Sequence, residues 1–224
     1  MKTIGKGLFS ATLGLVAFGL LLFVPAGTLH YWQAWVFLAV FAASTWIPSV
    51  YLMRTNPAAL DRRMQVGPRA ETRPLQRIVI TAIFICFPAM FVVSAIDHRL
   101  GWSTVPTAVC LLGDILVAAG LSLAMVVVIQ NGYAAANVTV EAGQTLVSTG
   151  LYGLVRHPMY TGNVALMAGA PLALGSFWGL TVLLPGMALL IVRIFDEEQL
   201  LTQQLPGYRE YTERVRYRLL PHVW

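Results

Sequence analysis

The sequence predicts an all-α fold, a polytopic membrane helix bundle, and three observations support this prediction. Of the 224 residues, 57% are hydrophobic and only 11% are charged, whereas a soluble domain is about 45–50% apolar and about 25% charged. The mean hydropathy is +0.69. The apolar residues are collected in runs of about 20, the length that crosses the hydrocarbon core of a bilayer. These properties exclude disordered, collagen-like and ordinary soluble proteins.

Six apolar runs divide the chain, and we expect them to form five to six transmembrane helices. The first four are close to full length: Leu8–Pro25, Gln33–Met53, Leu75–Ile96 and Val105–Gln130. The last two runs, Tyr160–Leu174 and Phe177–Ile191, are short and are separated only by Gly175 and Ser176. They predict a tilted helical hairpin that crosses the bilayer either fully or in part.

The chain divides into two regions, residues 1–130 with four spans and residues 131–224 with a loop, the hairpin and a polar tail. With six crossings, all lysines and arginines except Arg99 fall on one side of the membrane. Because cytoplasmic loops carry an excess of Lys and Arg, we expect both termini and the Asn131–Pro158 loop to be cytosolic. The same bias explains the net charge of +5, so no nucleic-acid partner is expected.

Two polar segments on that side have their own expected structures. The basic segment from Arg54 to Arg77 is expected either to contact anionic membrane lipids or to dock an acidic partner. The tail, Tyr208–Trp224, alternates charged and aromatic residues. This pattern predicts an interfacial amphipathic helix that closes a pocket.

A first polar cluster, residues 144–162, contains the sequence Arg156-His-Pro158. Proline fits the first turn of a helix and keeps the preceding residue extended. His157 is therefore predicted at a helix N-terminus, where free N–H groups favour anionic or hydrogen-bond-accepting ligand atoms. A histidine in the membrane interface, with Tyr152 and Tyr160 as an aromatic belt, explains the pattern equally well.

A second polar cluster follows the last apolar run and contains Arg193, Asp196, Glu197 and Glu198. Arg193 and Glu197 are four residues apart and share one helix face. They are either an interfacial salt bridge, worth less than about 1 kcal/mol, or a cation and an anion at the edge of a ligand cavity.

The remaining ionisable and sulfur-containing side chains of the spans give weaker indications. Asp114 is an acid well inside a span, where it forms either a structural hydrogen bond or part of an ion or substrate path. No metal site is predicted, because the histidines lack a second ligand at helix spacing. The two cysteines lie in apolar runs and give neither a disulfide framework nor a metal-ligand spacing.

Together the two clusters resemble the isoprenylcysteine carboxyl methyltransferase family, integral-membrane enzymes related to the phospholipid N-methyltransferases. The matching elements are Gly150-Leu-Tyr152, Arg156-His-Pro-Met-Tyr-Thr-Gly162, Glu197-Glu198-x-x-Leu201 and Gly207-Tyr-x-x-Tyr211. The resemblance covers roughly residues 130–224, and each element alone is a weak signal. The first half is similar only in hydropathy and in Arg54-Thr-Asn-Pro57.

The resemblance implies S-adenosyl-L-methionine (SAM) as methyl donor in a pocket capped from the cytosol, and a lipophilic, prenylcysteine-like acceptor that enters from the bilayer. Glu197 would hold the ammonium group of SAM and Arg193 would orient the acceptor carboxylate, so these two are the implied catalytic residues. The implied donor contacts are Asn137, Gln144, Thr145, Leu146, Val147, Tyr152, His157, Pro158, Met159, Tyr160 and Glu197.

The expected reaction is methyl transfer to a carboxylate, which is ionised at neutral pH and needs no general base. An amine acceptor, as in phospholipid or lipid-amine N-methylation, needs one, and Asp196, Glu198 and Tyr160 are the candidates. The sequence is also compatible with a cofactor-binding, reductase-like relative and with a non-catalytic membrane module. A Gly-rich turn between a strand and a helix is not evident, so SAM would bind by a non-Rossmann route.

Overall fold

The computed structural model describes residues 2–64, 67–69, 71, 73–134, 138–140 and 143–224. In these ranges the regular structure is helical, and no strand is formed. The expectation of an all-α helix bundle is confirmed. The eight α-helices of the described ranges are α1 (Lys2–Ala26), α2 (Trp32–Thr55), α3 (Pro57–Met64), α4 (Pro74–Leu100), α5 (Thr107–Gln130), α6 (Pro158–Ala173), α7 (Leu183–Gln204) and α8 (Tyr208–Arg214).

Four helical segments of the described ranges are long and apolar enough to cross a membrane: Trp32–Thr55, Pro74–Leu100, Thr107–Gln130 and Trp178–Gln204. The last of them joins a 3₁₀ turn, Trp178–Val182, to α7. Helix α1 adds a shorter apolar stretch, Thr12–Ala26. Helix α6 has 16 residues, about 24 Å of helix, against a hydrocarbon core of about 30 Å. The predicted hairpin therefore has one short arm and one long arm.

A seam of glycines holds α6 against α5. A methyl group at Gly162 would come within 2.6 Å of the carbonyl oxygen of Gly120, and one at Gly169 within 2.7 Å of that of Gly113. The two glycines of α6 are seven residues apart, and so are the two glycines of α5. The glycines of each helix therefore lie on one face. Such small residues let two helix backbones approach closely in a membrane. The seam fixes the start of α6, where the first polar cluster ends.

The ends of the helices form two polar regions that we call the far end and the arginine end. The far end comprises the connections 27–31, 101–106 and 174–177, and the arginine end comprises the opposite ends of the same helices. At the far end, the Asp97 carboxylate accepts hydrogen bonds from the backbone N–H and the hydroxyl of Ser103, at 2.8 and 2.6 Å. It also accepts from Ser176 Oγ at 2.5 Å and from the backbone N–H of Trp178 at 3.4 Å. These bonds tie the hairpin turn to the end of α4.

The largest apolar cluster lies between α1, α2, α4, α5 and α6. Phe37 and Phe91 are fully buried in it, and Phe18 packs against both rings. Asp114 lies on α5 with both carboxyl oxygens buried and without a hydrogen-bond partner among the described residues. The structural hydrogen bond expected for Asp114 is therefore not formed there.

The tail differs from the predicted amphipathic helix. Helix α8 ends at Arg214, and residues 215–224 fold back onto the start of α6. The backbone N–H of Arg156 donates to the Tyr217 carbonyl, and that of His157 to the Arg218 carbonyl, both at 2.9 Å. These two N–H groups precede a helix that begins with proline, so the helix itself gives them no acceptor. The tail supplies the acceptor carbonyls. It can do so because its backbone is not helical there and its carbonyls are free to accept from other parts of the chain.

Candidate active site

A cavity of about 330 Å³ lies at the arginine end, between α4, α6, α7, α8 and described residues of the segment from Asn131 to Arg156. Its volume falls in the range of ligand pockets, about 300–1,000 Å³. The residues predicted from the sequence that line it are Gln144, Thr145, Leu146, Val147, Tyr152, His157, Pro158, Met159, Tyr160, Arg193 and Glu197. Asn137 lies outside the described residues. The structure thus brings the two polar clusters together on one cavity.

His157 takes the predicted position immediately before the first turn of α6. Its side chain is buried, lines the cavity and stacks on the Tyr160 ring, with the ring centroids 5.4 Å apart. The His157 Nε2 atom lies 3.2 Å from Glu198 Oε1. This placement favours the ligand-site interpretation of His157 over an aromatic belt that faces lipid headgroups.

Glu197 is the acid of the cavity that retains room for a ligand. Tyr160 Oη donates to Glu197 Oε2 at 2.5 Å, and His157 Nδ1 lies 3.9 Å from Glu197 Oε1. Its side chain remains 23% exposed, although the neighbouring groups are nearly buried. A carboxylate offers about four acceptor sites, so Glu197 has capacity for a cationic or hydrogen-bond-donating ligand group.

Tyr160 bridges the two residues that the sequence placed on one face of α7. Arg193 Nε donates a hydrogen bond to Tyr160 Oη at 3.0 Å, and Tyr160 Oη donates one to Glu197. The Arg193 guanidinium is 4% exposed, and Nη1 donates to Glu71 Oε1 at 2.9 Å and to Gln76 Oε1 at 2.8 Å. Arg193 therefore lies in the cavity wall with a carboxylate of the chain already bound to it.

The basic segment before α4 contacts α7, which neither sequence interpretation of this segment included. The guanidinium of Arg73 donates to both carboxylate oxygens of Asp196, at 2.8 and 2.5 Å. Gln76 Nε2 donates to the same carboxylate at 2.7 Å. The segment thus forms part of the site.

Sequence reasoning missed Glu71 and Gln76. Both side chains are buried, and their partner Arg193 is more than 110 residues away in the sequence. One signal was available, because Glu71 is the only acid between Arg62 and Arg77. A single acid among arginines indicates a specific pairing better than it indicates a lipid-binding surface.

Glu198 holds the tail in place. It accepts from Arg156 Nε at 2.7 Å, from Arg218 Nε at 3.0 Å and interacts with His157 Nε2. Arg218 also stacks over the rings of Phe195 and Trp224. With Glu198 and Asp196 both bound to arginines, neither carboxylate fits the role of general base that the sequence left open for them.

Three tyrosines complete the wall on the side of the tail. Tyr211 Oη donates to the Tyr152 carbonyl at 2.7 Å, and Asn131 Nδ2 donates to Tyr152 Oη at 3.1 Å. Burial raises the pKa of Tyr152 to about 12 and also raises the pKa of Tyr208 and of Tyr211. All three phenols are neutral at physiological pH. Tyr208 Oη is buried and has no hydrogen-bond partner among the described residues.

A second cavity, of about 210 Å³, adjoins the first between α4, α6 and α7. Ile83, Asn163 and Leu190 line both cavities. The other lining residues are mostly apolar: Cys86, Phe87, Met90, Leu166, Met167, Val182 and Gly186. A polar cavity at the arginine end is thus adjoined by an apolar one within the bundle.

Residues 108–207 match the sequence profile of the phospholipid methyltransferase family. The match covers α5, the cavity-lining loop, α6 and α7, which supply most of the site. This part of the chain is therefore similar to a phospholipid methyltransferase domain, and it lies in a helix bundle with four membrane-capable helical segments among the described residues.

A curated relative matches part of the chain. Over 85 residues the chain is 36% identical to the Delta(14)-sterol reductase TM7SF2 of Mus musculus. The aligned part covers 37% of this chain and 20% of that protein. The chain thus spans only about a fifth of the length of this relative.

Proposed function

We propose that the protein is a SAM-dependent methyltransferase that transfers a methyl group to the carboxylate of a lipophilic, prenylcysteine-like acceptor. The observation that carries the proposal is the position of Glu197. It is the partly exposed acid of a ligand-sized cavity, and many of the residues of the motif resemblance line the same cavity.

The residues of the cavity fit SAM. The Glu197 carboxylate suits the ammonium group, and the chain from Gln144 to Val147 and the segment from His157 to Tyr160 enclose the donor. The unpartnered hydroxyl of Tyr208 lines the same cavity, and an unsatisfied buried polar atom is costly. A ligand atom that bonds to this hydroxyl removes the cost.

The adjoining apolar cavity suits the lipid part of the acceptor. Its wall is formed by membrane-embedded helices, and it meets the first cavity at Asn163. An acceptor that lies in both cavities places its polar end near Arg193 and its apolar part among α4, α6 and α7. We propose that the arginine end faces the cytosol, since basic residues are retained there.

When bound, SAM would supply an electrophilic methyl group on its sulfonium. The acceptor carboxylate oxygen would form a bond to this methyl carbon as the methyl–sulfur bond breaks, with S-adenosylhomocysteine as leaving group, and no base would be needed. The protein holds the two reactants in line, with the reacting atoms about 3–3.5 Å apart. Burial of the cavity beneath the tail excludes water from both charged partners. Arg193 orients the acceptor and Glu197 anchors the donor.

A second candidate is methylation of a phospholipid, as the description of the matching family indicates, at an amine of its headgroup. One contact favours it: Glu71 already neutralises Arg193, so a neutral acceptor enters without competing for that arginine. Tyr160 is the remaining candidate base, because Asp196 and Glu198 are bound to arginines.

One assay separates these functions. Purified protein in mild detergent is incubated with SAM labelled in its methyl group, together with N-acetyl-S-farnesylcysteine or phosphatidylethanolamine. We expect label in farnesylcysteine that alkali releases as volatile methanol, the signature of a methyl ester. Alkali-stable label in the phospholipid would establish N-methylation instead. Absence of label from both, with NADPH binding in place of SAM, would support a reductase-like relative and refute our proposal.

A further inference from the structure

Glu71 is bonded through both of its carboxylate oxygens. Oε1 lies 2.9 Å from Arg193 Nη1, and Oε2 accepts the backbone N–H of Val138 at 3.1 Å. The residue is 2% exposed. Val138 itself lines the donor cavity, so Glu71 joins the proposed acceptor arginine to the wall of the donor cavity.

The bond between Glu71 and Arg193 is the same interaction that an acidic acceptor would make. Carboxylate–guanidinium hydrogen bonds are among the stronger ones in proteins. A second carboxylate brought to Arg193 would meet the buried charge of Glu71, and like charges in a buried site repel strongly. Two carboxylates therefore compete for one guanidinium.

Among the described residues, the other carboxylates near the cavity do not share this position. Asp196 is bound to Arg73, and Glu198 to Arg156 and Arg218. Glu197 accepts a hydrogen bond from Tyr160 Oη. An incoming acid therefore adds a negative charge to a site whose arginines are all engaged.

We propose that Glu71 is a specificity-determining residue of the acceptor site, because an acidic acceptor reaches Arg193 only by displacing the Glu71 carboxylate. The inference rests on the acceptor role proposed for Arg193. Neutral acceptors bind with the Glu71–Arg193 pair intact. Glu71 thereby lowers the affinity for acids relative to their uncharged analogues and sets how selective the site is.

The test compares one acid with its neutral analogue. The probes are N-acetyl-S-farnesylcysteine and its methyl ester, titrated into purified full-length protein in mild detergent without SAM. In Glu71→Gln the charge is removed, while the amide oxygen still accepts from Arg193. We expect the dissociation constant of the ester divided by that of the acid to rise by about tenfold or more, because the acid binds more tightly. This change corresponds to one charge-assisted hydrogen bond.

Two variants serve as controls. Glu71→Asp retains the negative charge, and we expect its ratio to stay within about threefold of the wild-type value. Glu213→Gln makes the same change of charge at an exposed position of α8, and its ratio should also stay there. Far-UV circular dichroism of each variant reports on folding, and SAM titration reports on the proposed donor site.

The outcomes are distinct. A shift in Glu71→Gln that neither control shows supports the proposal, even if SAM binds to none of the proteins and the methyltransferase function fails. A Glu71→Gln ratio within threefold of wild type, or no binding of the acid to that variant, overturns it. SAM binding with an unchanged ratio would retain the methyltransferase and reject Glu71 as a determinant of specificity.

Discussion

The far end and the arginine end each contain an acid in a polar network. The two acids differ in how much capacity they retain to bind a ligand. Asp97 at the far end is 1% exposed and accepts four hydrogen bonds from neutral donors. Glu197 at the arginine end has a 23% exposed side chain and faces a cavity. Asp97 is saturated by the chain, whereas Glu197 is not.

This difference separates an acid that joins helices from one that can hold a ligand. The donors to Asp97 come from the ends of α4 and the hairpin turn, so their bonds stabilise the bundle. The side chains around Glu197 are positioned by hydrogen bonds with other residues. The Glu197 carboxylate is therefore held in place and can still accept further hydrogen bonds. The predictions below test this comparison.

The largest expected effect on stability is at the far end. Asp97→Ala leaves the Ser103 and Ser176 hydroxyls and two backbone N–H groups without their acceptor. Each unsatisfied buried group costs about 1–3 kcal/mol, so we expect the free energy of unfolding to fall by at least about 3 kcal/mol. Denaturant unfolding in detergent measures the change. A loss below about 1 kcal/mol would show that the Asp97 network is not a structural joint.

The glycine seam should give the next effect. Gly162→Ala places a methyl group against the Gly120 carbonyl, and overpacking of this kind costs about 1–3 kcal/mol. Thermal unfolding is the measurement, with Gly14→Ala as control because a side chain there meets nothing within 4 Å. Equal stability of both variants would mean that α5 and α6 are not packed through these glycines.

Glu198→Ala should lower both the affinity for SAM and the stability of the protein. It releases Arg156, Arg218 and the tail, which covers the cavity, so we expect SAM to bind about tenfold more weakly. Stability should also fall, because the nearly buried Arg156 and the partly exposed Arg218 lose a carboxylate partner. Calorimetry with SAM reports the first effect, and an unchanged affinity would contradict the role of the tail as a cover.

Arg193→Ala should act on the acceptor more than on the donor. We expect the KM for farnesylcysteine to rise by about tenfold or more, with the SAM affinity within about threefold of wild type. Arg73→Ala, which removes the partly exposed partner of the nearly buried Asp196 carboxylate, should cost about 1–3 kcal/mol of stability and leave the KM nearly unchanged. Full turnover by Arg193→Ala with every lipid-linked acid would remove its acceptor role.

The sequence predicted the bundle and much of the cavity wall because both depend on local patterns. Apolar runs define α2, α4 and α5, and Pro158 fixes the position of His157 before α6. Glu71 and Gln76 were not predicted, because their contacts with Arg193 depend on how α4 packs against α7. The folded-back tail was not predicted for a similar reason. Its path depends on its hydrogen bonds with the backbone N–H groups of Arg156 and His157, which are far away in the sequence.

The central claim is that the spare capacity of Glu197 binds the methyl donor, and calorimetric titration of SAM tests it most directly. Wild-type protein, Glu197→Ala and Asp97→Asn are compared in the same detergent, with far-UV circular dichroism to confirm folding. We predict micromolar binding to wild type, binding of similar affinity to folded Asp97→Asn, and loss of binding in folded Glu197→Ala. Binding of SAM to Glu197→Ala with wild-type affinity would contradict the account.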